Sequence, residues 1–215
     1  MIKKANDADV AWVYERLAAT ISPTSDLIFG STFELLIAVV LSAQATDKSV
    51  NVATARLFPR ANTPQAMVDL GEEGLTPFIR TIGLFRTKAK NVVALCRLLL
   101  EHHGGEVPAT RAELEALPGV GRKTANVVLN VAFGQPTIAV DTHVHRVSNR
   151  LGFGRSTSPE ATEKILLTRT PAAYLLHAHH YLILHGRYTC TARSPRCATC
   201  VVSARCPSRA PEITG

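Results

Sequence analysis

The 215-residue chain has no long apolar run. Its longest, Leu35 to Leu41, spans seven residues, far short of the ~20 that a membrane-crossing helix needs, so no membrane partner is expected. The opening segment MIKKANDADVAWVYER lacks an apolar stretch and already carries acids. Neither a secretory leader nor a transit peptide is expected, and the predicted location is cytoplasmic. Strand signals are almost absent, which excludes doubly wound nucleotide-binding folds, since those are built on a parallel sheet. Gly and Pro, 13 and 12 residues, are too near average for a collagen-like or low-complexity chain. What is present is 46% hydrophobic residues, enough to fill a core, over a length that accommodates one or two domains.

Acid is scarce in one half only. Residues 1–110 hold 11 basic and 11 acidic side chains, whereas residues 111–215 hold 13 basic and 6 acidic, so the whole net charge of +7 lies in the second half. Two further stretches are basic without any acid: Gly74 to Leu100, with Arg80, Arg86, Lys88, Lys90 and Arg97, and Arg187 to Pro211, with five Arg. Basic patches on a balanced chain point to a polyanionic partner such as nucleic acid.

Helix start signals recur along the chain. Ser31-x-x-Glu34 and Thr110-x-x-Glu113 read as capping boxes, and Asp47 as the cap of a segment running to Phe58. Thr63-Pro64, Thr76-Pro77, Ser158-Pro159 and Thr170-Pro171 each pair a cap with Pro at the first helical position. Gly83, Gly104-Gly105, Gly134 and Gly186 fall where helices should stop. The spacing of Val10, Val13 and Leu17 adds an N-terminal helix. The count is about ten helices, most of them short, and the fold class is all-α.

Four segments carry chemistry. In LPGVGRKTA, Leu117 to Ala125, a Pro-Gly-x-Gly turn joins two helices into a helix-hairpin-helix. Gly119, Val120 and Gly121 bring backbone close to a phosphate, and the amides of the following helix, with Arg122 beside them, favour the anion. Such a grip holds DNA backbone without reading bases. Lys123, placed one turn into that helix, is either a phosphate contact or an amine nucleophile. Asp141, after the apolar PTIAV, caps a helix running to Leu151, and a carboxylate there also suits stabilising a nearby positive charge. Cys190, Cys197, Cys200 and Cys206 follow the pattern C-x6-C-x2-C-x5-C. Without an export signal they favour metal over disulfides, and spacing alone leaves zinc and a [4Fe–4S] cluster open. Arg193, Arg196 and Arg205 lie within or beside this loop and could meet phosphates. The fifth thiol, Cys96, sits in the helical run VVALCRLLL and reads as core.

LSAQATDKSVN, LPGVGRKTANVVLN, AVDTHVHR, LHGRYTC and the cysteine pattern, in this order, resemble bacterial endonuclease III over roughly Pro23 to Cys206. The resemblance implies a base excision repair DNA glycosylase with abasic-site lyase activity, acting on oxidised pyrimidines or abasic sites in double-stranded DNA, as a monomer associated with the nucleoid. A pyrimidine-dimer-specific relative is the alternative, and a non-catalytic iron–sulfur DNA-binding module a more distant one. It implies Lys123 as the Schiff-base nucleophile and Asp141 as the aspartate facing it across a DNA-binding cleft. It further implies one [4Fe–4S] cluster on the four cysteines, Gln44 filling the gap left by a flipped base, Leu84 as an apolar wedge, and the 119–121 hairpin on phosphate. The implied architecture is a six-helix barrel domain, residues 24–134, and a cluster domain of residues 1–23 plus 135–215. Ser194 stands where relatives carry Lys, and His145 where some carry an aromatic residue. The His177, His179, His180 run reads as packing rather than as a metal site.

Overall fold

The computed structural model describes residues 3–209, and these form eleven α-helices and two 3-10 turns with no strand. In chain order they are α1 (Asp7–Ala18), α2 (Thr32–Ser42), α3 (Asp47–Leu57), α4 (Pro64–Ile79), α5 (Phe85–His103), α6 (Arg111–Glu115), α7 (Arg122–Phe133), α8 (Thr142–Arg150), α9 (Pro159–Arg169), α10 (Ala172–Leu175) and α11 (Ala178–Tyr188). The 3-10 turns span Cys197–Thr199 and Ser203–Arg205. The all-α class holds. The chain divides into two compact units, one of residues 25–134 and one joining the residues up to 24 with those from 135.

In the 25–134 unit the apolar run becomes the central helix: Phe33 and every residue from Leu35 to Leu41 of α2 is buried. A helix apolar on all sides must be enclosed, and α3, α5 and α7 pack against it. The inward face of α5 carries Ala89, Val92, Val93, Cys96 and Leu99. Burial pushes the Cys96 thiol up to about 12, so it is inert core. Lys88 lies on the same face, 5% exposed, and its Nζ has no hydrogen-bond partner. It therefore drops out of the basic surface expected between Arg80 and Arg97, while Arg80, Arg86, Lys90 and Arg97 are exposed.

In the other unit α1 buries Val10, Val13 and Leu17, the stripe that the sequence spacing predicts, and Tyr14 beside them. It packs on α11, so the N-terminal helix shares a core with the C-terminal half. The Tyr14 ring stacks on Phe153 and Tyr174 at 5.5 and 5.9 Å.

Helix caps follow local chemistry at Ser31, Thr63, Thr110 and Ser158, each accepting from the amide three residues on. The two boxes close differently from expectation. Glu34 accepts from the Gly30 amide rather than from Ser31, and Glu113 accepts from the Thr110 hydroxyl. Five expectations are corrected. The cap of α3 is Thr46, with Asp47 as its first helical residue. Thr76-Pro77 lies inside α4, whose break falls earlier, at Gly71. Thr170 ends α9 and donates its hydroxyl to the Tyr14 hydroxyl at 3.0 Å instead of capping α10. Gly186 lies within α11, where a Cβ would stand 3.0 Å from His143 Cβ and Val147 Cγ2; it permits close packing of α8 and α11 rather than a stop. Gly83 likewise ends no helix, since α4 stops at Ile79. Gly104 and Gly134 do end α5 and α7.

Candidate functional site

The hairpin is built by α6, the turn 116–121 and α7. The Val120 amide donates to the Leu117 carbonyl at 3.1 Å and its side chain is buried, 6% exposed. Val120 therefore anchors the turn to the core and offers no free amide. Gly119 takes φ +80°, and a Cβ there would lie 3.1 and 3.2 Å from Nδ2 and Cβ of Asn91; only glycine fits. Gly121 precedes α7, whose N-terminus has no side-chain cap. The first amides of a helix lack intrahelical acceptors, and together with the helix dipole they form an anion site. Lys123 is the second residue of α7, within its first turn rather than one turn in, and exposed. Arg122 is exposed beside it.

Two exposed loops of the same unit carry the unusual backbone. Gln44 and Leu84 are the two non-glycine residues with positive φ among those described, at 54° and 60°. Leu84 is 59% exposed and stands at the start of α5 without a side-chain cap. The loops adjoin: a Cβ on Gly83 would be 3.5 Å from the Gln44 carbonyl oxygen. Left-handed backbone costs a β-carbon residue roughly 1–2 kcal/mol, and such strain clusters at functional sites. Sequence periodicity carries no signal of it.

In the other unit Asp141 caps α8. One carboxylate oxygen accepts from the His143 and Val144 amides, both at 2.8 Å. That arrangement fixes the side chain and leaves the second oxygen without a hydrogen bond among the described residues. His145, on the next turn, is half-buried, with Nδ1 2.6 Å from the Thr162 hydroxyl. His179 and His180 are buried, and His179 Nδ1 meets the Ala139 carbonyl at 2.6 Å.

Cys190, Cys197, Cys200 and Cys206 line one cavity of about 130 Å³, with Arg150, Leu151, His185, Arg196 and Val202 among the other walls. Four thiols around one cavity supply the donor set that an iron–sulfur cluster takes. Burial pushes the Cys200 and Cys206 thiols above their ordinary value, a cost that iron coordination of the thiolates offsets. The second layer is built for sulfur: Arg150 reaches Cys190 Sγ at 3.5 Å and His185 Nε2 lies 3.8 Å from Cys200 Sγ. Sequence reasoning missed the residues that hold this loop. Arg150 donates to the Thr191 and Ala192 carbonyls at 2.7 and 2.8 Å, and Arg146 to the Gly186 and Cys190 carbonyls at 2.8 and 3.1 Å. Their i, i+4 spacing on α8 was the available signal. Arg193 and Arg196 are exposed on the loop.

Comparison with known proteins agrees with this geometry. The family model of the HhH-GPD superfamily base excision DNA repair protein matches residues 37–172, and that of the iron-sulfur binding domain of endonuclease III matches residues 190–206. The chain therefore carries a [4Fe–4S] cluster. It is 62% identical to endonuclease III of Escherichia coli K12 over 184 residues, covering 86% of this chain and 87% of the relative. It is 55% identical to that of Treponema pallidum over 195 residues, covering 90% and 92%. A solved structure of a trapped endonuclease III–DNA covalent intermediate superposes with TM-score 0.90 at 46% identity, covering 95% of this chain and 97% of that one. The chain belongs to the HhH-GPD superfamily of base excision DNA repair proteins and, within it, to the endonuclease III family.

Proposed function

We propose that this base excision repair DNA glycosylase and AP lyase removes oxidised pyrimidines from duplex DNA, working as a monomer with Lys123 as nucleophile and Asp141 as its catalytic partner. The observation that carries the reading is Lys123 in the first turn of α7, beside helix amides left uncapped behind a Pro-Gly-x-Gly turn. A DNA backbone held on those amides brings a sugar to the lysine amine. The covalent protein–DNA linkage in the superposed relative supports a covalent route.

In this mechanism the target nucleotide leaves the stack, at a cost of a few kcal/mol that damage reduces. Gln44 fills the vacancy and Leu84 wedges between bases, each presented on strained backbone. The Lys123 amine, after giving up a proton, forms a bond to C1′. The C1′–N glycosidic bond breaks, and its electrons leave with the base, which takes up a proton. Asp141 assists the lysine deprotonation through its unengaged oxygen and stabilises positive charge at the sugar. The sugar then opens to an iminium, which accepts electrons as a C2′ proton departs. The C3′–O bond breaks and the strand is cut. Only an amine forms that iminium, so a carboxylate cannot replace Lys123. Gly119, Gly121, Arg122, Arg193 and Arg196 hold phosphates on either side of the lesion, and Val120 sets the turn.

Residues 24–134 act as the helix-hairpin-helix domain, and residues 1–23 with 135–215 as the cluster domain, of which 1–2 and 210–215 lie outside the described residues. Cys190, Cys197, Cys200 and Cys206 are assigned as the cluster ligands. The bound cluster supplies four sulfur–iron ties that fix the 190–206 loop and its arginines.

A lesion panel tests the substrate assignment. Purified holoprotein should release thymine glycol from a paired duplex and leave a strand break of the β-elimination type. Release of pyrimidine dimers in preference to oxidised bases would replace this reading with the dimer-specific one.

A further inference from the structure

We infer that the cavity formed by the N-terminal segment, the 152–155 loop and the end of α9 is a phosphate-binding site separate from the excision centre. Its lining includes Lys3, Lys4, Arg155 and Arg169 with Asn149 and Thr168, encloses about 560 Å³, and contains no carboxylate. It lies where α8 ends, whereas Asp141 stands where α8 begins. Nine residues of helix separate the two by about 13 Å.

The cavity is organised rather than incidental. Arg169 is spent on its frame: it donates to the Ala5 and Phe153 carbonyls and pairs with Asp7 at 2.8 Å. The Ala5 amide donates to the Gly152 carbonyl at 2.9 Å. Gly152 takes φ +71°, and a Cβ there would stand 2.5 Å from the Lys3 carbonyl oxygen, so the N-terminal segment lies directly against the loop. These contacts hold residues 3–5 against the loop, and Lys3 and Lys4 are placed there with them. The Asn149 amide is already bonded to His145 and Ser156, and the Thr168 hydroxyl to the Lys164 carbonyl. The donors left over are Lys3, Lys4 and Arg155, exposed and without a side-chain hydrogen bond or ion pair among the described residues. Three unspent cations around a cavity without acid select an anion with several acceptor oxygens, which is the chemistry of phosphate.

Phosphate here has two sources: the backbone of a longer stretch of DNA, or a free di- or triphosphate. Two measurements on the cluster-loaded protein separate them. In the first, Lys3 and Lys4 are mapped for reaction with an amine-acylating reagent, with and without pyrophosphate, using exposed Lys48 as the reference. Several-fold protection of Lys3 and Lys4 alone identifies a free-phosphate site. In the second, binding of a long undamaged duplex is followed against salt for wild type and for K3Q/K4Q/R155Q. Each lost phosphate contact lowers the slope of log K against log salt by ~0.9, so a fall of up to ~2.7 identifies DNA backbone, with excision from a short lesion duplex unchanged. Both effects together mean that the two sources share the site. Absence of selective protection together with an unchanged slope overturns the proposal, and the wild-type arm stands even if the variant does not fold.

Discussion

Replacing Leu84 by Gly and by Ala separates backbone strain from side-chain loss. Leu84 is 59% exposed, so it buries about two-fifths of its side chain. Full burial of a leucine is worth roughly 1.5–3 kcal/mol, which puts the cost of either truncation near ~1 kcal/mol. Ala keeps the left-handed φ of 60° and its strain, roughly 1–2 kcal/mol. Gly relieves that strain but loses roughly 0.5–1 kcal/mol of backbone entropy. L84G should therefore be more stable than L84A by about 0.5–1 kcal/mol, the reverse of the usual order, and close to wild type. Both should excise poorly from paired lesion duplexes, because both lack the wedge. Denaturant midpoints of the holoproteins give the first comparison, and single-turnover excision the second. If L84G proves less stable than L84A, the strain is not there. If either variant excises at the wild-type rate, Leu84 is no wedge.

Other variants test separate parts of the account. Asp141→Asn keeps an N-cap of similar strength and should leave stability within a few tenths of a kcal/mol while abolishing turnover; Asp141→Ala should lose the cap as well, about 1 kcal/mol in denaturant titration. Lys88→Met replaces a lone buried ammonium with an apolar isostere and should match or exceed wild-type stability at neutral pH. Burial lowers the Lys88 pKa from 10.5, so the unfolded chain binds the extra proton there and wild-type stability gains a rising contribution as pH climbs from that lowered value towards 10.5. The Met variant should lack this rise in unfolding midpoints measured across alkaline pH. Arg150→Ala removes charge-assisted bonds to two loop carbonyls, each worth ~1.5–3 kcal/mol, and should shed iron to a chelator faster than wild type; equal rates of iron loss would mean that the loop holds itself.

Much of the fold was legible because helix caps are local: Ser31, Thr63, Thr110 and Ser158 act within four residues of themselves. Thr170 misled because its hydroxyl is claimed by Tyr14, 156 positions away, and Gly186 because its role is set by α8 rather than by its own neighbours. Lys88 could have been placed correctly: it shares the helical face of Val92, Leu95 and Leu99, so its spacing already argued burial. The hairpin was legible as Pro-Gly-x-Gly, but the engagement of the Val120 amide with Leu117 was not. The strained backbone at Gln44 and Leu84 leaves no trace in periodicity, since any residue type can be held at positive φ by what surrounds it.

Covalent trapping on Lys123 tests the central claim most directly. Borohydride reduction during turnover on an abasic or thymine-glycol duplex should join wild-type protein to DNA, with the adduct mapped to Lys123 and absent from Lys123→Ala. A wild-type enzyme that never traps, or an adduct on another residue, would contradict the account.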